Sequence, residues 1–387
     1  MKIRYLMLLT LPKYSSLILF VLIVNTSFAQ TNRSAKIRKS NLYAGIEVGS
    51  KGVKMSIIQM NKNATVTGAF TAIKDSSINS DFISFSNLTF SATLKAVSEL
   101  YTVASVDYNI PSTKIFTVFS SGVKGQALKD NKMGMLKKLS DSLSIIIKDP
   151  KRNFPAVDAM EEAKLSHLGI IPEDRRYNTF LIDIGSGNTK GGYFKNGNTK
   201  ELKLFALSWG TKSITNATEK RAGEDKSVEN FKKQLPRVIS GEPEKEIIYA
   251  VNESGAYNMN DFFAFSGGIV WSAATLMYPE LIDNSVVPVS YKDVLAFNEK
   301  LSNKFSDIQP SFLSKTFTEN TPEKELFLIE SNRVHKVFDQ KALLAGTALI
   351  LKIMRQFEST KDKKQFYFVK NGQVGWITAY VNQQLNN

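Results

Sequence analysis

Two short stretches of this chain share one design, and that repetition limits the folds open to it. Leu181 to Phe194 reads LIDIGSGNTKGGYF: an apolar run ending in the acid Asp183, a tight glycine turn, then alternation fit for a second strand. Leu42 to Gln59, LYAGIEVGSKGVKMSIIQ, repeats it with Glu47 as the acid and Gly49-Ser50-Lys51-Gly52 as the turn. The halves align as I-E-V-G-S-K-G-V-K against I-D-I-G-S-G-N-T-K. Glycine at 49, 185 and 187 permits close backbone approach, and successive N–H groups in such turns can form an anion-binding nest. Each hairpin alone also fits an ordinary glycine turn. Two copies about 140 residues apart point to a duplicated domain with two phosphate-facing turns.

Between the copies, a strand at Ile115–Phe119 runs into Ser120-Ser121-Gly122-Val123-Lys124, a polar turn with one cation, Lys124. A helical start follows at Met160-Glu161-Glu162-Ala163-Lys164-Leu165. Adjacent acids on a helix diverge, so one of Glu161 and Glu162 can face a cleft, and an acidic first turn complementing the helix dipole is the plain alternative. After the second hairpin a strand ends in Gly210-Thr211-Lys212-Ser213, either an anion-facing turn or an ordinary capped helix start. Farther on, Asp261–Phe265 reads as a strand followed by Ser266-Gly267-Gly268 and a helix, where the glycines let backbone approach a flat ligand. The pattern also predicts helices over Ser91–Ala104, Lys129–Ile147, Ser290–Phe305 and Phe338–Phe357, the last buried on most faces. A capping residue inside the second of these is expected at Ser140 or Asp141. Strands are expected at Thr65–Lys74 and Leu204–Trp209, an exposed helix plus loop over Lys220–Glu246, and a polar connection over Thr316–Glu330. A charged turn at Lys361–Lys364 and a terminal hairpin over Phe366–Val381, turning at Asn371-Gly372, complete the reading.

The beginning of the chain reads as an address. Lys2, Arg4 and Lys13 precede the apolar run Leu17–Val24, and Ser27-Phe28-Ala29 supplies small residues for cleavage, the features of a secretory signal peptide. The run is well short of the roughly twenty residues a membrane span needs. An exported, periplasmic or secreted protein is therefore expected, with no membrane span in the mature chain. Seven Lys or Arg and no acid lie in residues 1–40, so the formal +14 falls to +7 beyond them. The lead Gln30–Ser40 reads as a flexible basic segment, solvated or attracted to polyanions. No nucleic-acid partner is expected. The chain has no cysteine, so neither disulfide nor lipid attachment at a cysteine is available. With only His167 and His335, a histidine-rich metal site is ruled out, and no G-x-S-x-G elbow supports a serine hydrolase.

Taken in order over Leu42 to Phe357, these motifs resemble the exopolyphosphatase and guanosine pentaphosphate phosphohydrolase (Ppx/GppA) family of the actin-like ATPase superfamily. The resemblance rests on the turn at Glu47–Lys51, the serine turn at Ser120–Lys124, Glu-Glu-Ala-x-Leu ending at Gly169, and the turn at Asp183–Thr189. It implies an α/β fold of two ribonuclease-H-like domains flanking a phosphate-binding cleft. The expected division is a signal peptide at 1–29, the basic lead at 30–40, domain I at 41–168, domain II at 169–345, and a C-terminal helix and hairpin at 346–387. The implied activity is phosphoanhydride hydrolysis, releasing phosphate from polyphosphate by metal-assisted water attack. Glu162 would be the general base, with Lys124 in the place of an arginine. Gly49, Ser50, Lys51, Gly185, Ser186, Gly187, Asn188 and Thr189 would cradle phosphates, as would Gly210, Thr211 and Lys212. Asp183 and Glu47 would hold Mg²⁺ or Mn²⁺, and Gly267 and Gly268 would contact another ligand group.

The chain departs from the family pattern where charge matters. Lys51 replaces a neutral asparagine, Lys124 keeps a point charge without the guanidinium fork, and Lys190 replaces an acid. These changes favour polyanion binding over metal binding. The expected partner is polyphosphate or another polyphosphorylated small molecule, with a homodimer among the oligomeric states left open. A catalytically weakened polyanion- or nucleotide-binding module and an actin-like filament-forming ATPase are the alternatives.

Overall fold

A computed structural model describes residues 41–386 apart from 61–69, 153, 256–260, 320, 359–363, 371 and 373–374. The signal peptide and basic lead lie outside the described residues, as do the start of the expected strand at Thr65 and most of the turn at Lys361–Lys364.

The first sheet has the order β3-β2-β1-β4. Its strands are β1 (Leu42–Val48), β2 (Gly52–Met60), β3 (Phe70–Asn79) and β4 (Ile115–Phe119). The first three form an antiparallel meander, and β4 joins β1 in parallel. Helix α1 (Asn87–Thr102) makes the connection to β4 and starts at a Ser86–Thr89 capping box. Then come α2 (Ser121–Lys129) and α3 (Met133–Ile146), which runs without interruption past Ser140 and Asp141. Ile46, Val53, Met55, Phe82, Val97, Leu100, Phe119 and Leu139 fill the core of this half. Helix α4 (Ala159–Ile170) leads to the second sheet.

The second sheet repeats the plan and extends it, in the order β7-β6-β5-β8-β10-β9. Its meander is β5 (Thr179–Ile184), β6 (Thr189–Phe194) and β7 (Leu202–Leu207), with β8 (Phe262–Ser266) parallel to β5. Around it lie α5 (Thr211–Ala222), α6 (Val228–Ile239), α7 (Glu242–Ser254), α8 (Gly268–Met277), β9 (Val286–Val289) and α9 (Tyr291–Asn303). The chain continues through α10 (Pro322–Val337), α11 (Gln340–Glu358) and β10 (Gln365–Val369) to α12 (Gly375–Asn386). Phenylalanines dominate this core: Phe263 lies 4.2 Å from Phe357 of α11 and 5.4 Å from Phe180. Each fully buried ring of this kind contributes roughly 1.5–3 kcal/mol of transfer free energy.

Four expectations give way to helix. Ser120 stands at the N-cap position of α2, so the polar turn there is a helix start. The stretch 220–246 holds the end of α5, all of α6 and the start of α7. The supposed connection at 316–330 is largely α10, capped by Thr321 with Pro322 in its first turn. The terminal hairpin is absent: β10 is followed by α12, because Trp376, Ile377, Tyr380 and Val381 form one helical face. That face packs on α4 and β1. Glycine brings the helices together, since a Cβ on Gly169 would stand 2.0 Å from the Gly375 carbonyl.

Candidate functional site

The two hairpin turns meet. In the first, Gly49 N–H donates to the Gly52 carbonyl at 2.9 Å. In the second, Gly185 N–H donates to the Asn188 carbonyl, also at 2.9 Å. The start of α2 lies between them: a Cβ on Gly122 would be 3.0 Å from Ser50 Oγ and 3.4 Å from Asn188 Oδ1. Asn188 Nδ2 donates to Ser121 Oγ at 3.3 Å, and a Cβ on Gly187 would lie 3.2 Å from Ser50 Oγ. Gly122 and Gly187 therefore line the point where the turns and the helix start converge.

The second turn rests on α5. The N–H groups of Thr211 and Lys212 donate to the carbonyls of Gly185 and Ser186 at 3.0 and 2.7 Å. Gly210 lies directly beneath, where a Cβ would stand 2.5 Å from the Gly185 carbonyl oxygen. The backbone of Thr211 and Lys212 thus holds the turn, and the amides expected to bind phosphate are spent on it. Thr189 is likewise tied down, its hydroxyl donating to the Trp209 carbonyl at 2.7 Å. The Ser186 hydroxyl oxygen is buried without a hydrogen-bond partner.

Behind the turns lie the acids, gathered around a lysine. Register pairs Asp183 with Lys190 directly across β5 and β6, as it pairs Glu47 with Lys54 in the first hairpin. Opposed residues of an antiparallel pair project from the same face. Lys54 is exposed, whereas Lys190 is 5% exposed. The Lys190 ammonium lies 2.8 Å from Glu162 Oε1 and 3.3 Å from Asp183 Oδ2. Glu162, in the first turn of α4, also accepts the Ser121 N–H at 2.6 Å through its other oxygen. The second oxygen of Asp183 accepts the Ser266 hydroxyl at 2.8 Å. Burial pulls the ammonium pKa down, but Glu162 and then Asp183 outweigh it and hold Lys190 above the ordinary lysine value. Glu47 accepts the indole N–H of Trp376 at 3.1 Å. Burial raises its pKa, opposed by Lys54 and aided by the negative charge of Glu162.

A divalent cation does not fit this arrangement. Three acids at 47, 162 and 183 are the right chemistry for Mg²⁺ or Mn²⁺, but the ammonium of Lys190 already bridges two of them. Among the described residues no three His, Cys, Asp or Glu are disposed to hold a metal.

Two other cations, Lys51 and Lys212, cross between the halves of the site. Lys51 donates to the Val337 carbonyl at 2.8 Å and lies over the Phe338 ring. Burial and the nearby Lys212 lower its pKa. Lys212 pairs with Asp81, whose N–H donates to the Lys51 carbonyl. Lys124 is half-buried in the first turn of α2. Gly267 and Gly268 answer to protein packing: their Cβ atoms would meet the Ile184 carbonyl at 2.1 Å and the Phe338 ring at 3.3 Å. Gly267 also has φ 104°, a region few other residues enter.

Sequence reasoning leaves out Ser121, Gly122, Ser266 and Trp376. The first three lie inside stretches that the motifs mark, and strand-to-helix polarity could have singled out both serines. Trp376 carries no such signal, because it depends on a helix folding back from far along the chain.

No protein-family model matches the sequence, and comparison with curated proteins gives no match. Solved structures do match. An exopolyphosphatase-like protein aligns with TM-score 0.60 at 14% identity, over 89% of this chain and 99% of its own. A Ppx/GppA family member from Aquifex aeolicus aligns with TM-score 0.55 at 16% identity, over 89% and 98%. An exopolyphosphatase from Cytophaga hutchinsonii aligns with TM-score 0.52 at 10% identity, over 88% and 98%. The chain therefore has the α/β fold of these Ppx/GppA and exopolyphosphatase structures.

Proposed function

We propose that this protein is an exopolyphosphatase-like phosphoanhydride hydrolase whose cleft favours holding a polyphosphate chain over turning it over. The observation that carries the reading is the meeting of the turns at 49–52 and 185–188 with the start of α2 at Gly122, in front of Glu47, Glu162 and Asp183. Backbone groups at this junction, with Lys51 and Lys212 beside it, suit a row of phosphate oxygens. Glu162 is the group to orient and deprotonate the attacking water. Its ion pair with Lys190 occupies one carboxylate oxygen and the bond from Ser121 N–H the other, which leaves little room for an attacking water and makes turnover slow. The reading of residues 1–29 as an export signal supports polyphosphate over nucleotides, which are mostly intracellular.

The test is phosphate release from polyphosphate by the native chain and by Glu162→Gln. Slow release that the substitution abolishes is expected; equal release from both overturns the role of Glu162. A second reading, a polyanion-binding module without turnover, draws on the same clamping of Glu162. It is favoured if polyphosphate binds in a salt-sensitive manner and no phosphate appears.

A further inference from the structure

We propose that the ammonium of Lys190 is the resident cation of this site, standing where a divalent metal would otherwise bridge Asp183 and Glu162. The cleft then engages its anionic ligand without a tightly bound metal. The inference deepens the phosphate-site reading and rests on it for the identity of the ligand.

Three observations carry it. First, Lys190 contacts carboxylates delivered by two different elements: Asp183 from the facing strand and Glu162 from α4. A surface lysine pairs with one acid by chance, whereas a buried one joining two elements fixes their separation. Second, the unused oxygens of both acids are already bonded, to Ser121 N–H and the Ser266 hydroxyl. The cluster is therefore complete as built, with acceptors arranged around the ammonium and donors on their far oxygens. Third, the nitrogen lies 3.6 Å from the Cβ position of Gly185, beside the second turn. An ammonium has three donors, and with two directed at carboxylates one is left to address an oxygen at the turn.

Charge decides between the two cations. A metal entering this place must displace a buried ammonium or share two carboxylates with it, and either leaves a buried charge unpaired, a strongly unfavourable state. The corresponding lysine of the first hairpin, Lys54, is exposed. The internal cation is thus particular to the second copy of the design.

Mn²⁺ binding tests this by the loss of the free-ion electron paramagnetic resonance signal, measured on the full chain without any phosphate compound. The native chain and Asp183→Asn are expected to bind Mn²⁺ equally weakly. Lys190→Gln is expected to bind about tenfold more tightly than the native chain, since it frees a carboxylate pair from its counter-ion. If Asp183→Asn strips a Mn²⁺ that the native chain holds, the proposal is overturned. That comparison stands even if Lys190→Gln fails to fold. Polyphosphate plays no part in this measurement, so failure of the hydrolase reading leaves it standing, and its own failure leaves that reading untouched.

Discussion

The indole nitrogen of Trp376 donates to a carboxylate oxygen of Glu47 at 3.1 Å, across 329 residues of sequence. The bond holds the first acid of the site from behind, through a helix that sequence patterning places in a hairpin. Trp376→Phe removes the donor and keeps an aromatic ring. The indole bond lowers the Glu47 pKa, so its loss moves that pKa upward. Glu47 then takes its proton at higher pH than in the native chain, observable by carbon NMR titration of the carboxyl group. Stability should fall by about 1–3 kcal/mol for a buried acceptor left unsatisfied.

Lys190 stabilises the cluster only as part of it. Lys190→Met leaves Glu162 and Asp183 facing each other in a buried place, at an expected loss of about 3–5 kcal/mol in denaturant unfolding. Adding Glu162→Gln removes one of the orphaned charges, so the double variant should be more stable than Lys190→Met alone. Additive losses would show that the three groups do not act as a unit.

His167 makes stability depend on pH. Its ring is buried against Phe194 and bonded through Nε2 to the Thr179 carbonyl. Burial lowers its pKa from 6.5 to about 4. The unfolded chain takes up the proton first, so this contribution is fully present above pH 6.5 and is lost as pH falls toward 4. Between pH 7.5 and 4.5 the loss attributable to His167 is about 2–3 kcal/mol. Urea unfolding at both pH values should show His167→Phe losing that much less than the native chain.

Gly210 supports the second turn with no room to spare. Gly210→Ala places a methyl group against the Gly185 carbonyl and within 2.8 Å of Asn188 N. Backbone must shift, at a cost of about 1–3 kcal/mol. The displaced atoms belong to the turn itself, so polyphosphate binding measured by calorimetry should be lost while the fold persists. Unchanged affinity would place the ligand away from this turn.

Asp81 holds the Lys212 ammonium in an ion pair that a phosphate chain in the proposed cleft would have to share. Asp81→Asn keeps the side-chain shape and suits the residue's positive φ, but releases the ammonium. For a partly exposed pair this is worth up to about 1 kcal/mol, so polyphosphate affinity should rise about threefold, with a steeper dependence on salt. An unchanged affinity would show that Lys212 faces away from the ligand.

Much of the fold was open to reading because it is written twice. Both hairpins follow from local alternation and glycine punctuation, and their duplication predicted paired sheets. The polar stretch at 316–330 hid the start of α10 because its apolar residues are bunched at Leu326-Phe327-Leu328-Ile329, whereas at 220–246 the expected helix is α6 and the expected loop gives its ends to α5 and α7. The Thr321-Pro322-Glu323 start of α10 was nevertheless a legible cap. At the site, residue types at Glu47, Glu162 and Asp183 could be read, but their partners could not. Whether Lys190 turns into the cleft depends on the burial of β6 and the arrival of Glu162 from α4, neither of which is encoded nearby.

The return of α12 to β1 sets an order on biogenesis. Ribosomes deliver Glu47 long before Trp376, and Gly45 of β1 waits equally long for Ile377, which fills the space beside it. The first half can collapse early, but its inner face is finished only when the final helix emerges. A nascent chain stalled before residue 375 therefore carries an uncovered strand and an acid without its donor, and only the last dozen residues turn that open face into a closed one.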